Sequence, residues 1–347
     1  MALEDAARQA LAQFGFHGRD VERLEQLPQG VKNVNFRVRA ADRDWVLKLH
    51  ASPGAAERLM LTHRLETCLV EAGLPVARLH RPAAGGTFVA TDAGTFTLHG
   101  WVDGHQISIG ERDAVHASHP DLVRDLGQLL GDLHREGRQA LADPDAGVPV
   151  ESLLSAPART VASIRHGRPH RFRKTARLRR NGGAFDRWVL SVLPGLFRDA
   201  ALLASPRVAA ILDPGDVILA HNDVNWENLV LDRDFAVLAL LDFDNAAPLP
   251  RALDVGAAAA VLVGADEERL HRFLEAYALA FGTAVGRSAV HLGMRWKCVR
   301  SILWSVDAYV SGRVADVDLV AAWCRHLAVC WSELPPLSPA AGTTVAR

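Results

Sequence analysis

Apolar residues come in short strand-like runs near the start of the chain and at helical spacing further along. Leu27 to Val38 reads as strand, turn, strand, with Gly30 allowing a tight bend and Asn33 a small polar residue beside it. Asp44-Trp45-Val46-Leu47-Lys48-Leu49 is a further apolar strand, and Ser52-Pro53 is a helix start signal, a capping residue followed by proline. That helix is expected from Gly54 to Ala72, ending at Gly73. Between Asp121 and Gly137, Leu122, Leu126, Leu129, Leu130 and Leu133 recur with helical periodicity, and the chain from Glu267 to Trp331 is helical and amphipathic throughout. One late segment breaks this rhythm. Asn228 to Leu231 is a short apolar run, Asp232-Arg233-Asp234 a polar turn, and Phe235 to Leu241 apolar again, which predicts a hairpin.

Chemistry-bearing residues bracket that hairpin. Before it stands His221-Asn222-Asp223-Val224-Asn225-Trp226-Glu227-Asn228, or H-x-D-x-x-x-x-N; after it stands Asp242-Phe243-Asp244. Asp223 falls on a loop, where a carboxylate can act as a base. The hairpin brings Asn228 close to Asp242, so that an amide and a carboxylate can share a divalent metal. Phosphoryl transfer from a nucleotide needs a group to orient the attacking hydroxyl and metal ligands to neutralise phosphate charge. Short oxygen ligands suit Mg²⁺. A competing assignment makes His221, Asp223 and Asp242 ligands of a hydrolytic metal centre, but no second His-rich cluster follows.

These two motifs resemble the aminoglycoside phosphotransferase and choline kinase family. The resemblance implies an α+β, bilobal, protein-kinase-like fold, with a small antiparallel-sheet N-lobe and a larger, mainly helical C-lobe. It places the N-lobe at 1–98, a hinge at 99–104 and the C-lobe at 105–347. It implies Asp223 as catalytic base, Asn228 and Asp242 as Mg²⁺ ligands, and His221 as a brace for the catalytic loop. Trp226-Glu227 stands where many members carry Pro-Gly. Lys48 is the implied phosphate-binding cation. The chain has four lysines against 35 arginines, so a lysine in that strand is less readily a chance choice. Gly30, Asn33, Phe36 and Val38 match the family's phosphate-covering loop, and His99, Trp101 and Val102 fall in the hinge that meets the nucleotide base. The family's helix glutamate, partner of the lysine, belongs near Thr62 or His63. No acid stands there, and Glu57 and Glu66 flank the position. Asp254 matches a family aspartate that caps a helix and braces the catalytic loop.

Composition adds bounds. The 347 residues suit two lobes, and a net charge of −1 gives no global attraction to nucleic acid or membrane. Four scattered cysteines without metal spacing and an acidic N-terminus lead us to expect reduced thiols and a cytoplasmic location. Arg165 to Arg180 carries eight cations and no acid. A polycationic sugar needs an acidic pocket, so this stretch favours a neutral or anionic acceptor if it lies near the site. The reading is an ATP- or GTP-dependent, Mg²⁺-requiring kinase for a small-molecule hydroxyl, of the antibiotic-resistance type. The alternatives are a homoserine, choline or sugar kinase, or a nucleotide-binding module with little turnover.

Overall fold

In a computed structural model, residues 2–27, 33–51, 54–141, 150–166, 178, 182–314 and 316–336 are described. The chain divides into two compact units. The first comprises Met1–Gln106 with Asn228–Ala247, and the second Ile107–Glu227 with Pro248–Arg347. The expected boundary at 99–104 falls just before the first division. The expected allocation of all later residues to one lobe differs from this division, because the hairpin segment groups with the first unit. Gly30 and most of Arg165 to Arg180 lie outside the described residues.

The first unit is built on an antiparallel sheet. Its strands are β1 (Val21–Gln26), β2 (Val34–Ala40), β3 (Arg43–His50), β4 (Leu79–His80), β5 (Val89–Thr91) and β6 (Gly94–Gly100). They lie in the order β1-β2-β3-β6-β4, with β5 also on β6. Two helices accompany them, α1 (Ala2–Gln13) and α2 (Ala55–Glu71), the latter within one residue of expectation at each end. Strand alternation sorts the side chains onto two faces. Phe36, Val38, Leu47, Leu49, Phe96 and Leu98 join Ala7, Ala10 and Leu11 of α1, and Phe14 just after it, in one buried cluster. The register pairs Asn35 with Lys48 and Lys48 with Thr97, and Val46 with His99. The opposite face is therefore polar, and it carries the residues of chemical interest.

The predicted hairpin is present. Leu229–Leu231 pairs with Val237–Leu240, Leu229 opposite Leu240. Asp232 Oδ1 accepts the N–H groups of Asp234 and Ala236 at 2.9 Å each, an Asx-type closure of the polar turn. Backbone bonds tie the hairpin into the first unit: Leu240 N–H to Pro75 O at 2.8 Å, and a reciprocal pair between Leu231 and His105 at 2.8 and 2.9 Å.

The second unit is mainly helical. The helix Leu122–Ala140 packs against Glu267–Phe281, and Arg251–Leu262 packs against Arg287–Val310. Glycines allow both crossings to be close. A Cβ at Gly127 would lie 2.3 Å from Phe273 O, and one at Gly256 would lie 2.3 Å from Val290 O and 2.7 Å from Gly293 Cα. Trp296 is buried in this unit, as expected of a core aromatic. No helix among the described residues is long and apolar enough to cross a membrane. Because backbone cannot yield as a flexible side chain does, Gly256→Ala should cost about 1–3 kcal/mol. We expect a melting temperature lower by a few degrees; an unchanged value would show that this crossing has room to spare.

Candidate active site

In the first unit, β3 projects Lys48 from the polar face of the sheet. Its ammonium lies 2.7 Å from Asp242 Oδ1 and 2.7 Å from Asp244 Oδ2. Burial opposes the charge on Lys48, but the two carboxylates outweigh it and raise its pKa. The expected helix glutamate does not take this place. Glu66 instead meets His99 Nε2 at 3.2 Å. Asp244 is held further by a hydrogen bond from Asn33 Nδ2. Its carboxyl is pushed up by burial and by the neighbouring Asp242, against the pull of Lys48. His50, on the same face, is pushed down to about 3 by burial and by the Lys48 ammonium, so it is neutral and adds no compensating charge.

The hairpin fixes the rest of this cluster. Leu241 N–H donates to Asn228 O at 2.8 Å, so the backbones of Asn228 and the D-x-D segment run side by side. Asp242 adopts left-handed backbone, φ 62°, and enters a tight turn over Phe243–Asn245. Such backbone is uncommon outside glycine, and aspartate tolerates it better than most residues. Thr62 of α2 donates to Phe243 O at 3.3 Å, securing the turn from above. A cavity of about 380 Å³ opens beside it, lined by Asn33, His50, Arg58, Thr62, Asp244 and Asn245 among others. Asn228, Asp242 and Asp244 offer only oxygen donors, and one ammonium serves two carboxylates. That surplus of hard anionic oxygen fits Mg²⁺. Asp244 as a third donor was not assigned from the sequence, although the D-x-D spelling carried the signal.

The hinge residues fall as follows. His99 ends its side chain on Glu66. Trp101 N–H donates to Asp44 O at 3.0 Å, its indole N–H donates to Asp103 at 2.9 Å, and the Arg37 guanidinium stacks on its ring at 4.2 Å. Its backbone donor is thus committed within the unit. Val102 follows directly in the chain.

In the second unit, the strand Val217–Ala220 leads into the H-x-D loop. His221 is fully buried, and its Nδ1 accepts the Asp223 N–H at 3.2 Å. Asn222 between them has left-handed backbone, φ 63°. The Asp223 carboxylate, 28% exposed, receives Lys297 Nζ at 2.8 Å. Burial alone would raise the Asp223 carboxyl. The Lys297 charge and hydrogen bond, with His221 and Arg300, outweigh it and hold it well below the usual carboxylate range. With His221 Nδ1 and Asp223 so engaged, they make poor ligands for a hydrolytic metal. Lys297 was not assigned from the sequence; the rarity of lysine that singled out Lys48 also marked it. Trp226 is buried edge-on against His116 with ring centroids 5.5 Å apart, anchoring the loop at the place where many family members carry Pro-Gly. Asp254 corrects an expectation. Its helix already begins at Arg251, so it caps nothing, and its carboxylate meets His134 Nε2 at 3.0 Å while His134 Nδ1 meets Tyr277 Oη at 3.0 Å.

A small antiparallel-sheet unit and a mainly helical unit give the chain the α+β, protein-kinase-like fold class. The sequence profile of the phosphotransferase enzyme family matches residues 23–290, and the chain belongs to that family. It is a phosphotransferase enzyme of the kinase type. A search of curated proteins returned no match. Solved structures share the fold at low identity. The chain is similar to a spectinomycin phosphotransferase, solved with ADP and spectinomycin, at 9% identity and a TM-score of 0.65 over 95% of this chain and 98% of that one. It is similar to an aminoglycoside phosphotransferase from Alicyclobacillus acidocaldarius at 17% identity and 0.59, covering 94% and 92%. It is also similar to a choline kinase from Streptococcus pneumoniae at 14% and 0.58, covering 96% and 100%.

Removing the ammonium beside Asp223 leaves burial as the dominant influence. In Lys297→Met the Asp223 pKa should therefore rise, and the acid limb of the kcat–pH profile should move up by about one unit or more. Lys297→Arg, which keeps the charge, should stay near the parent profile. An acid limb that does not move in Lys297→Met would deny Lys297 this role.

Proposed function

We propose that this chain transfers the γ-phosphoryl group of ATP or GTP to a hydroxyl of a small neutral or anionic molecule, and that the acceptor is an antibiotic or related natural product. The observation that carries the reading is the ion pair between Asp223 of the H-x-D loop and Lys297 of the helix Arg287–Val310. An aspartate kept ionised can orient an acceptor hydroxyl and take its proton as the bond to phosphorus forms. Lys48 binds the non-transferred phosphates, with Asn33 in the covering loop. The backbone of His99 to Val102 meets the base, Val102 foremost, since Trp101 N–H is already bonded. Asn228, Asp242 and Asp244 would hold Mg²⁺, which supplies neutralisation of phosphate charge when bound. The ADP in the spectinomycin phosphotransferase structure supports a nucleotide donor.

Charge around Asp223 supports the acceptor class. Lys297 and Arg300 stand against Asp223 and Glu227, and burial pushes the Glu227 carboxyl up, toward its neutral form. That leaves no acidic surplus of the kind a polycation needs. A primary-metabolite acceptor is the second reading, supported by the likeness to choline kinase and to an aminopropanol kinase, which has 13% identity and a TM-score of 0.58.

Incubation with Mg²⁺ and ATP or GTP against hydroxyl-bearing antibiotics and metabolites, read by mass spectrometry, tests this proposal. A phosphorylated neutral or anionic acceptor is expected. Efficient turnover of a polycationic aminoglycoside would overturn the charge assignment, and turnover of nothing beyond water would favour the nucleotide-binding module. Asp223→Asn should lower kcat by roughly 10² to 10⁴ while nucleotide affinity stays within a few-fold; near-full activity would refute its role. Asp242→Ala should weaken Mg²⁺-dependent nucleotide binding, with partial recovery as Mg²⁺ is raised. Undiminished affinity at low Mg²⁺ would rule out ligation by Asp242.

A further inference from the structure

The polar face of the first unit carries a second side-chain cluster, in which His63 and Glu66 have no place in the proposed phosphoryl transfer and His99 takes part through its ring. His63 and Glu66 lie three residues apart on α2, so they share one face of that helix. His99 lies on β6 and meets Glu66 through Nε2 at 3.2 Å. One ligand atom from each of the three comes within 4.8 Å of the other two. Glu66 and His63 are 6% and 2% exposed.

The unusual member is His63. Neither of its ring nitrogens has a hydrogen-bond partner among the described residues, although the side chain is almost wholly buried. Buried polar atoms are nearly always satisfied, and one left without a partner calls for an explanation. Burial holds the His63 pKa down at about 4, so the ring is neutral and presents a lone pair. Its neighbours are not random either. The rings of His63 and His99 stand edge to face with centroids 6.3 Å apart.

We propose that His63, Glu66 and His99 form a binding site for a Zn²⁺-like transition-metal ion that clamps α2 to β6. Two imidazoles and one carboxylate are a donor set that first-row divalent ions accept, with a fourth position left for water. A tetrahedral ion with bonds near 2.1 Å keeps its ligand atoms about 3.4 Å apart. The Glu66–His99 separation is already close to that, and a His63 ring nitrogen within 4.8 Å of both is the third ligand. The site also accounts for the missing lysine–glutamate pair: Glu66 serves His99, and Lys48 takes its carboxylates from the D-x-D turn. The cluster is distinct from the Mg²⁺ donors, which are all oxygen.

The test uses the full chain, freed of metal with a chelator and kept in millimolar Mg²⁺ so that the oxygen site is saturated. Titration with ZnCl₂ should give about one tight equivalent and a higher melting temperature. CoCl₂ should give the visible d–d bands of a low-coordinate nitrogen and oxygen site, without thiolate charge transfer. His63→Ala and the near-isosteric Glu66→Gln should each weaken Zn²⁺ binding at least about tenfold. Their melting temperatures with chelator present report folding, and Glu66→Gln decides the matter if His63→Ala does not fold. Absence of tight Zn²⁺ binding by the parent chain, equal affinity in Glu66→Gln, or a thiolate-type Co²⁺ spectrum would each overturn the proposal.

Discussion

The Lys48 ammonium between Asp242 and Asp244 is the interaction on which the first unit's chemistry depends. It joins a strand near the start of the chain to a turn almost two hundred residues later. In a half-buried setting, where water screens little, an ammonium without these carboxylates would be costly to keep charged. The pairing fixes the D-x-D turn over the polar face of the sheet, and the Leu229–Leu240 register fixes Asn228 beside it. It also leaves one carboxylate in excess of the local cations. That ratio supports the proposal that the cluster receives a divalent cation rather than standing as a closed salt bridge.

The second unit solves a related problem with the opposite sign. Asp223 is a carboxylate in a site that burial would neutralise, and Lys297 keeps it ionised. The surrounding loop is held by bonds that use polar atoms economically. His221 accepts from the backbone of Asp223, and Trp226 supplies bulk against His116. Behind them His134 links Asp254 to Tyr277, fully buried and satisfied at both ring nitrogens. A depressed pKa makes Asp223 a weak base. In the role we propose for it, Asp223 would therefore orient the acceptor hydroxyl first and accept its proton late, which suits a transition state with little nucleophilic participation.

The local parts of this account were legible in the sequence. The hairpin showed itself because its two apolar runs and its polar turn are adjacent, and α2 because its start and stop signals are explicit. The two motifs stood out by their spacing, while the roles of Asp223, Asn228 and Asp242 were given by the family resemblance. Partnerships across long separations were not legible. Nothing near Lys48 says that its carboxylates come from Asp242 and Asp244 rather than from α2. Nothing near Asp223 points to Lys297, except that lysine is rare in this chain. The cap expected of Asp254 came from its match to a family aspartate; the helix begins three residues earlier, and the side chain serves His134 instead. The grouping of Asn228–Ala247 with the first unit was hidden because it rests on backbone bonds to Pro75 and His105, which no side-chain pattern announces.

The central claim is that the carboxylates of the D-x-D turn hold the divalent ion of the bound nucleotide. Mn²⁺ can stand in for Mg²⁺ and report its ligands through hyperfine couplings. Pulsed EPR of Mn²⁺–ATP bound to protein carrying ¹³C-carboxylate aspartate addresses the claim most directly. The account predicts ³¹P coupling from the nucleotide together with strong ¹³C coupling that is lost in Asp242→Ala. Phosphorus coupling with no aspartate carbon coupling in the parent protein would contradict it.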